Sequence, residues 1–181
     1  MGNIEGAEFV RRLAMLCPPP GSPTDFDRSR TNQEERQVPA DYRRLAQMYG
    51  PGCFDEFLWI FVERAENEHL DLVKCTNGMR SIFKHKNAPV LESALAEFGA
   101  TVEDLVQWGV TDNADMLAWI AKGDPDSWPT VVIQAGQLDV FISSKSSTET
   151  LLDLLTGAMR PPFFPSDFPS EQPEFSANPY S

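Results

Sequence analysis

The imidazole and thiol side chains, whose ordinary pKa values lie nearest neutral pH, are few in this 181-residue chain. They are two histidines, His69 and His85, and three cysteines, Cys17, Cys53 and Cys75. His69 stands among Glu66, Glu68 and Asp71, a set that could ligate a metal. The same acids also suit the start of a helix, whose positive dipole end favours carboxylates, and that reading is preferred. A cysteine-histidine pair would need Cys53 or Cys75 brought to one of the histidines, and no spacing in the sequence does this. No G-x-S-x-G elbow, phosphate-binding G-x-G-x-x-G or Walker loop occurs. The cysteines are odd in number with no C-x-x-C pair, which predicts three small buried hydrophobes in a reducing cytoplasm.

Paired acids offer a second chemistry. Asp112 and Asp115 lack the glycine and terminal glutamate of an EF-hand loop. Together with Asp124 and Asp126 they could suggest the carboxylate pair of a glycosidase. However, the two pairs fall in successive turns of a meander, which places them at opposite ends of a sheet, roughly 20 Å apart for six-residue strands. Turn chemistry, with carboxylates accepting from nearby backbone N–H groups, is the simpler role. No catalytic, cofactor-binding or metal-binding residue is assigned, and the chain is expected not to be an enzyme.

Charge narrows the partners. Twenty-seven acids against 15 Lys and Arg give a net charge of −12. Phosphate backbones and anionic membrane surfaces require clustered basic residues, so neither nucleic acid nor membrane is expected. Arg11-Arg12 and Arg43-Arg44 are isolated pairs rather than a basic stripe. An acidic chain meets a basic protein quickly. No apolar run approaches the roughly 20 residues that span a bilayer, and Met1 to Val10 does not read as a signal peptide.

The elements that position these residues follow from periodicity. Phe9, Val10, Leu13 and Leu16 predict an amphipathic helix from Glu5 to Cys17, stopped by Pro18, Pro19 and Pro20. Ser22 to Gln37 is polar and reads as a loop. Pro39 opens a helix carrying Tyr42, Leu45, Met48 and Tyr49 on one face, with Gly50 at its end. After the Gly50-Pro51-Gly52 turn, Phe57 to Val62 is apolar throughout and predicts a strand covered on both faces. Leu70 to Lys86 reads as helix interrupted at Asn77-Gly78. Asn87 is expected to cap a helix through Phe98 that turns Val90, Leu91, Ala94, Leu95 and Phe98 inward.

The period then changes. Leu105 to Val110, Met116 to Ala121, Pro129 to Gln134 and Leu138 to Ile142 are short apolar runs separated by turn residues, the signature of an antiparallel meander. Trp59, Trp108 and Trp119 fall in strand runs and read, with Trp128, as packed core rather than a ligand box. Ser146 and Glu149 form a capping box for a final helix ending at Gly157. Beyond Arg160 a Pro/Phe-rich tail can be neither helix nor central strand.

The expected architecture is α+β: a mostly antiparallel meander flanked by helices. Its parts are an N-terminal helix (1–17), a Pro-rich polar loop (18–37), the α+β domain (38–160) and the tail (161–181). By hairpin parity Asp112, Asp115 and Asp139 share one end of the sheet. They and the acidic stretch Glu63, Glu66 and Glu68 are the candidate partner-binding residues.

Several segments in order resemble the SUKH superfamily, which includes bacterial toxin-immunity proteins and yeast cell-wall-assembly regulators. They are Val38 to Gly52, Phe57 to Phe61, Trp108 to Trp119, Gly123 to Val132 and Leu151 to Gly157. The resemblance implies an α+β domain without catalytic residues. It also implies a stoichiometric inhibitor of a cognate toxin, a nuclease or another toxic enzyme domain, with a regulatory or scaffold protein as the alternative. A hydrolase or metal-dependent enzyme built on His69 and His85 is a further alternative. The family's turn often reads Thr-Asp-Asn-Gly-Asp, where this chain has Ala114, so a longer or strained turn is expected here.

Overall fold

A computed structural model describes residues 2–21, 37–136 and 138–177. The polar loop reading for Ser22 to Gln37 lies almost wholly outside the described residues, as does the tail beyond residue 177.

The helices are α1 (Gly2–Leu16), α2 (Ala40–Tyr49), α3 (Leu72–His85), α4 (Pro89–Ala96) and α5 (Ser147–Thr156). The strands are β1 (Gly52–Phe54), β2 (Leu58–Ile60), β3 (Leu105–Thr111), β4 (Met116–Ile120), β5 (Thr130–Ile133), β6 (Val140–Ser143) and β7 (Phe175–Ala177). All seven form one antiparallel sheet in the order β6-β5-β4-β3-β2-β1-β7. The protein is therefore α+β, a strand meander flanked by helices. No described helix is long and apolar enough to cross a membrane.

Side-chain alternation divides the core between the two faces of the sheet. Trp108, Leu117, Trp119 and Val132 pack with Tyr42 and Leu45 of α2 and the leucines of α5. Ala118, Ile120, Val131 and Ile133 pack with Met79 and Phe83 of α3 and Leu91 and Leu95 of α4. A bulge between Gln107 and Gly109 lets Trp108 and Gly109 follow one another on the α2 face. Gly109 has to be glycine, because a Cβ there would stand 2.6 Å from the Trp59 carbonyl oxygen.

Tyr42 is the central bolt. It is 1 % exposed, and its Oη lies 2.8 Å from the carbonyl oxygens of both Phe61 and Trp108, to which it donates its one proton. Its ring meets Trp119 edge-on at 4.7 Å and Trp108 at 5.7 Å. The helix ends are tied by acids. Asp126 Oδ1 accepts from Ala40 N at the start of α2, where Pro39 offers no side-chain cap. Asp124 caps its own 3₁₀ turn through Asp126 N, the turn chemistry expected of this pair. Ser146 accepts from Glu149 N and Gly157 takes the left-handed cap at φ 72°, so the α5 reading holds at both ends.

Five expectations differ. Helix α3 runs unbroken through Asn77-Gly78, because Thr76 and Met79 are buried there and packing overrides weak propensity. Helix α4 ends at Ala96 with Ala88 at its N-cap, and Val90 and Phe98 point outward, 49 % and 41 % exposed. Met48 is exposed on α2. The run from Phe57 to Val62 holds only a three-residue strand, and Trp59 is half-buried rather than covered. Finally, the chain forms strand β1 directly after the Gly50-Pro51 turn.

The tail is built into the domain. Phe164 and Phe168 are buried against Phe57, with ring centroids 5.3 Å and 4.7 Å from it. Phe175 opens β7 and packs on Tyr49 and Phe54. Gly52 makes this close approach possible, since a Cβ there would meet the Phe175 ring and the Ser176 carbonyl at 2.5 Å. Cys17 Sγ donates to the Pro173 carbonyl, and the Asp55 carboxylate accepts from both Ser170 N and Ser170 Oγ.

Candidate functional site

The β1–β2, β3–β4 and β5–β6 turns lie at one end of the sheet, as the all-antiparallel order requires. Asp112 in the middle turn and Asp139 in the last are both exposed there, as hairpin parity predicts. Asp112 N donates to Phe57 O, which holds the middle turn against the start of β2.

Asp115 does not join that surface. It is 3 % exposed; its Oδ2 accepts from Thr111 Oγ1 at 2.9 Å and its Oδ1 from Ala135 N at 3.0 Å. A carboxylate that closes its own turn and bonds the next is spent on structure, so Asp115 is corrected from a docking residue to the tie that sets Asp112's turn against Asp139's. Asp115→Ala leaves the Ala135 N–H and the Thr111 hydroxyl without their acceptor. It is expected to cost about 2–3 kcal/mol in urea unfolding.

Glu63, Glu66 and Glu68 also stand apart. Asp112 sits level with Phe57, and Glu63 lies six residues further along the chain past β2, roughly 20 Å away in extended geometry. Glu68 pairs with Lys74 at 3.3 Å. This second acidic stretch belongs to the approach to α3.

Two acids that sequence reasoning missed stand at this end: Glu56 is exposed on the rim, while the Asp55 carboxylate ties the tail to it through Ser170. Asp55 and Glu56 are the central pair of the turn that Phe57 N closes on Phe54 O between β1 and β2, both left-handed, at φ 55° and 53°. Such turns favour Asn-Gly or Asp-Gly, so Asp-Glu, with no glycine at the second position, gives no hairpin signal. Among the described residues, four of the five non-glycine residues with positive φ occupy this end of the sheet: Asp55, Glu56, Ala114 and Leu138. Ala114 follows a turn closed by Ala114 N donating to Thr111 O, at φ 66°, so the turn is both longer than two residues and strained. Ala114→Gly is expected to stabilise the chain by about 1 kcal/mol in the same urea experiment.

From Asp139 to Glu174, beside β7, the rim crosses six strand spacings, about 29 Å. Among the described residues none of Glu56, Asp112, Asp139 or Glu174 takes part in a salt bridge. Beneath the rim, Trp59, Val110 and Met116 are register partners in one row, all half-buried, on the face that α3 and α4 cover elsewhere. Cys53 lies in the same row, and burial with Asp112, Glu56 and Asp55 nearby pushes its thiol up to about 12. Burial first, then Asp55 and Glu174, pushes Cys17 up to about 11.

The histidines are placed elsewhere. Both are exposed; His85 Nδ1 lies 2.9 Å from Ser81 O in its own helix. Cys75 does approach His69, but through the His69 backbone carbonyl at 3.3 Å, and its thiol is pushed up to about 11, mainly by burial. Among the described residues no group of three His, Cys, Asp or Glu stands close enough to hold a metal ion.

Comparison with family models, with curated proteins and with solved structures finds no match. The resemblance to the SUKH superfamily therefore rests on the ordered segments quoted above.

Proposed function

We propose that the chain is a non-catalytic binding module that neutralises a cognate toxin domain by stoichiometric docking, with a basic domain such as a nuclease as the partner. The observation that carries this reading is the β1–β2 turn. Glu56, beside Asp55, occupies a left-handed position that glycine would fill at lower cost, by about 1–2 kcal/mol. Strain of this kind gathers at functional sites. Here it keeps the exposed Glu56 carboxylate at the end of the sheet where Asp112 and Asp139 also stand.

The physics suits capture of a basic surface. A net charge of −12 steers a positively charged partner toward the chain, and exposed carboxylates can cover groups that would otherwise hold phosphates. The half-buried row of Trp59, Val110 and Met116 adds an apolar centre beside the acidic rim, and aromatic and methionine side chains are enriched in interface cores. Three free thiols with raised pKa values fit a reducing cytoplasm, where a toxin's producer needs protection.

The test is to look for a toxin domain among the genes that neighbour this chain's gene and to co-express it with the chain. The reading expects host growth to be restored and a one-to-one complex to survive gel filtration. Continued killing with no complex formed would reject it.

A further inference from the structure

Strand β6 closes one side of the sheet, and the pairing with β5 decides which of its backbone groups face outward. Gln134 N donates to Asp139 O at 2.7 Å, one step along the β5–β6 register from Ile133 and Val140. Bonding alternates along an antiparallel pair. Phe141 and Ser143 therefore turn their backbone groups to β5, and Val140 and Ile142 turn theirs away from the sheet. Ser144 follows in the same sense where the strand ends.

Sheet edges are guarded in most proteins by prolines, charges, bulges or brevity. The opposite edge, β7, is three residues long and begins two residues after Pro173. In contrast, β6 carries no proline or charge from Val140 to Ser143, and its register with β5 is unbroken. Val140, Phe141 and Ile142 are only half-buried. One outward group is occupied: Asp139 Oδ1 accepts from Val140 N at 2.9 Å. Among the described residues no hydrogen bond engages the N–H or C=O of Ile142.

We propose that β6 pairs antiparallel with β6 of a second copy of this chain, about a two-fold axis at Ile142. Two features select this occupant and register. First, the central pair needs only the Ile142 groups, each N–H donating to the other copy's C=O. Ser144 N donates to the second copy's Val140 O on either side. A register that set Val140 opposite Ile142 would call on the Val140 N–H that Asp139 already holds. Second, the charges match. Asp139 and Lys145 stand three residues before and three after Ile142, so each Asp139 comes level with the second copy's Lys145. Both are exposed. Lys145 Nζ lies 2.6 Å from Asp153 Oδ2 and 3.0 Å from Glu149 Oε1, and its third N–H remains for that carboxylate. Opposite charges facing one another across antiparallel strands stabilise the pairing.

This self-pairing goes beyond the docking function, and its test needs no toxin. The experiment is sedimentation equilibrium of the full chain alone, with Ile142→Pro and Lys145→Glu as variants. Salt is held at about 0.15 M, where repulsion between two acidic chains is screened beyond about 8 Å. The wild type is expected to show a monomer–dimer equilibrium. Ile142→Pro removes the two central N–H donors and spares the bonds to β5, because that N–H faces outward. It is expected to raise the dimer dissociation constant about tenfold or more. Lys145→Glu sets a carboxylate against the second copy's Asp139 and is expected to raise the constant severalfold. As a surface change it keeps the test decisive should the proline variant not fold. A wild type that stays monomeric at every concentration would overturn the proposal. So would a dimer whose constant either folded variant leaves unchanged.

Discussion

A chain ended at Arg160 is expected to lose about 5 kcal/mol or more of unfolding free energy, which in a domain of ordinary stability leaves little folded protein. Burial of one phenylalanine contributes about 1.5–3 kcal/mol. The tail buries Phe164 and Phe168 fully and Phe175 in part. Its removal also strips β7 from β1, opening a sheet edge and uncovering Phe54, Phe57 and Tyr49, on which those rings pack. Urea unfolding of the two chains measures the loss. An unchanged midpoint would mean that the tail rests on a domain complete without it. A milder version, Phe168→Ala, is expected to cost about 3–5 kcal/mol, since it empties one pocket and keeps the strand.

Replacing Tyr42 by alanine should be the most damaging single change. The ring is enclosed by Trp108 and Trp119, so its loss opens a large cavity, at about 3–5 kcal/mol by comparison with other aromatic truncations. The hydroxyl adds a separate contribution, because the Phe61 and Trp108 carbonyls both lose their shared donor. Tyr42→Phe isolates that part and is expected to cost about 1–2 kcal/mol. Burial holds the Tyr42 phenol well above its ordinary pKa, so it stays protonated and able to donate throughout the physiological range. If the phenylalanine variant proved as damaging as alanine, the hydroxyl rather than the ring would be the dominant tie.

Local chemistry explains which elements the sequence revealed. Strands β3 to β6 were legible because turn residues punctuate short apolar runs, and α5 because Ser146, Glu149 and Gly157 mark its ends. Strand β1 was not, since Gly52-Cys53-Phe54 is too short to show a period. The tail's strand was hidden among prolines, and only its packing on Phe54 and Tyr49 defines it. At the site, hairpin parity placed Asp112 and Asp139 correctly at one end. It could not reveal that Asp115 turns inward, because both acids of that turn have the same local signature and burial depends on the neighbouring turn at Ala135. The β1–β2 turn was not legible for the converse reason: Asp55 suits a left-handed position, but Glu56 stands where glycine would mark the turn, and its geometry is imposed by the strands it joins.

Charge reversal at the acidic end of the sheet tests the docking account most directly. The variant is Glu56→Lys, Asp112→Lys and Asp139→Lys together, with the exposed Glu66→Lys as a control away from that end. All three changed positions are exposed, so the fold should survive. Association with the toxin domain identified by the co-expression test is followed by stopped flow at low and high ionic strength. Steering by this end predicts an on-rate reduced about tenfold or more at low salt, a difference that shrinks as salt is added, and a control close to wild type. Equal rates for the wild type and the triple variant at low salt would contradict the account.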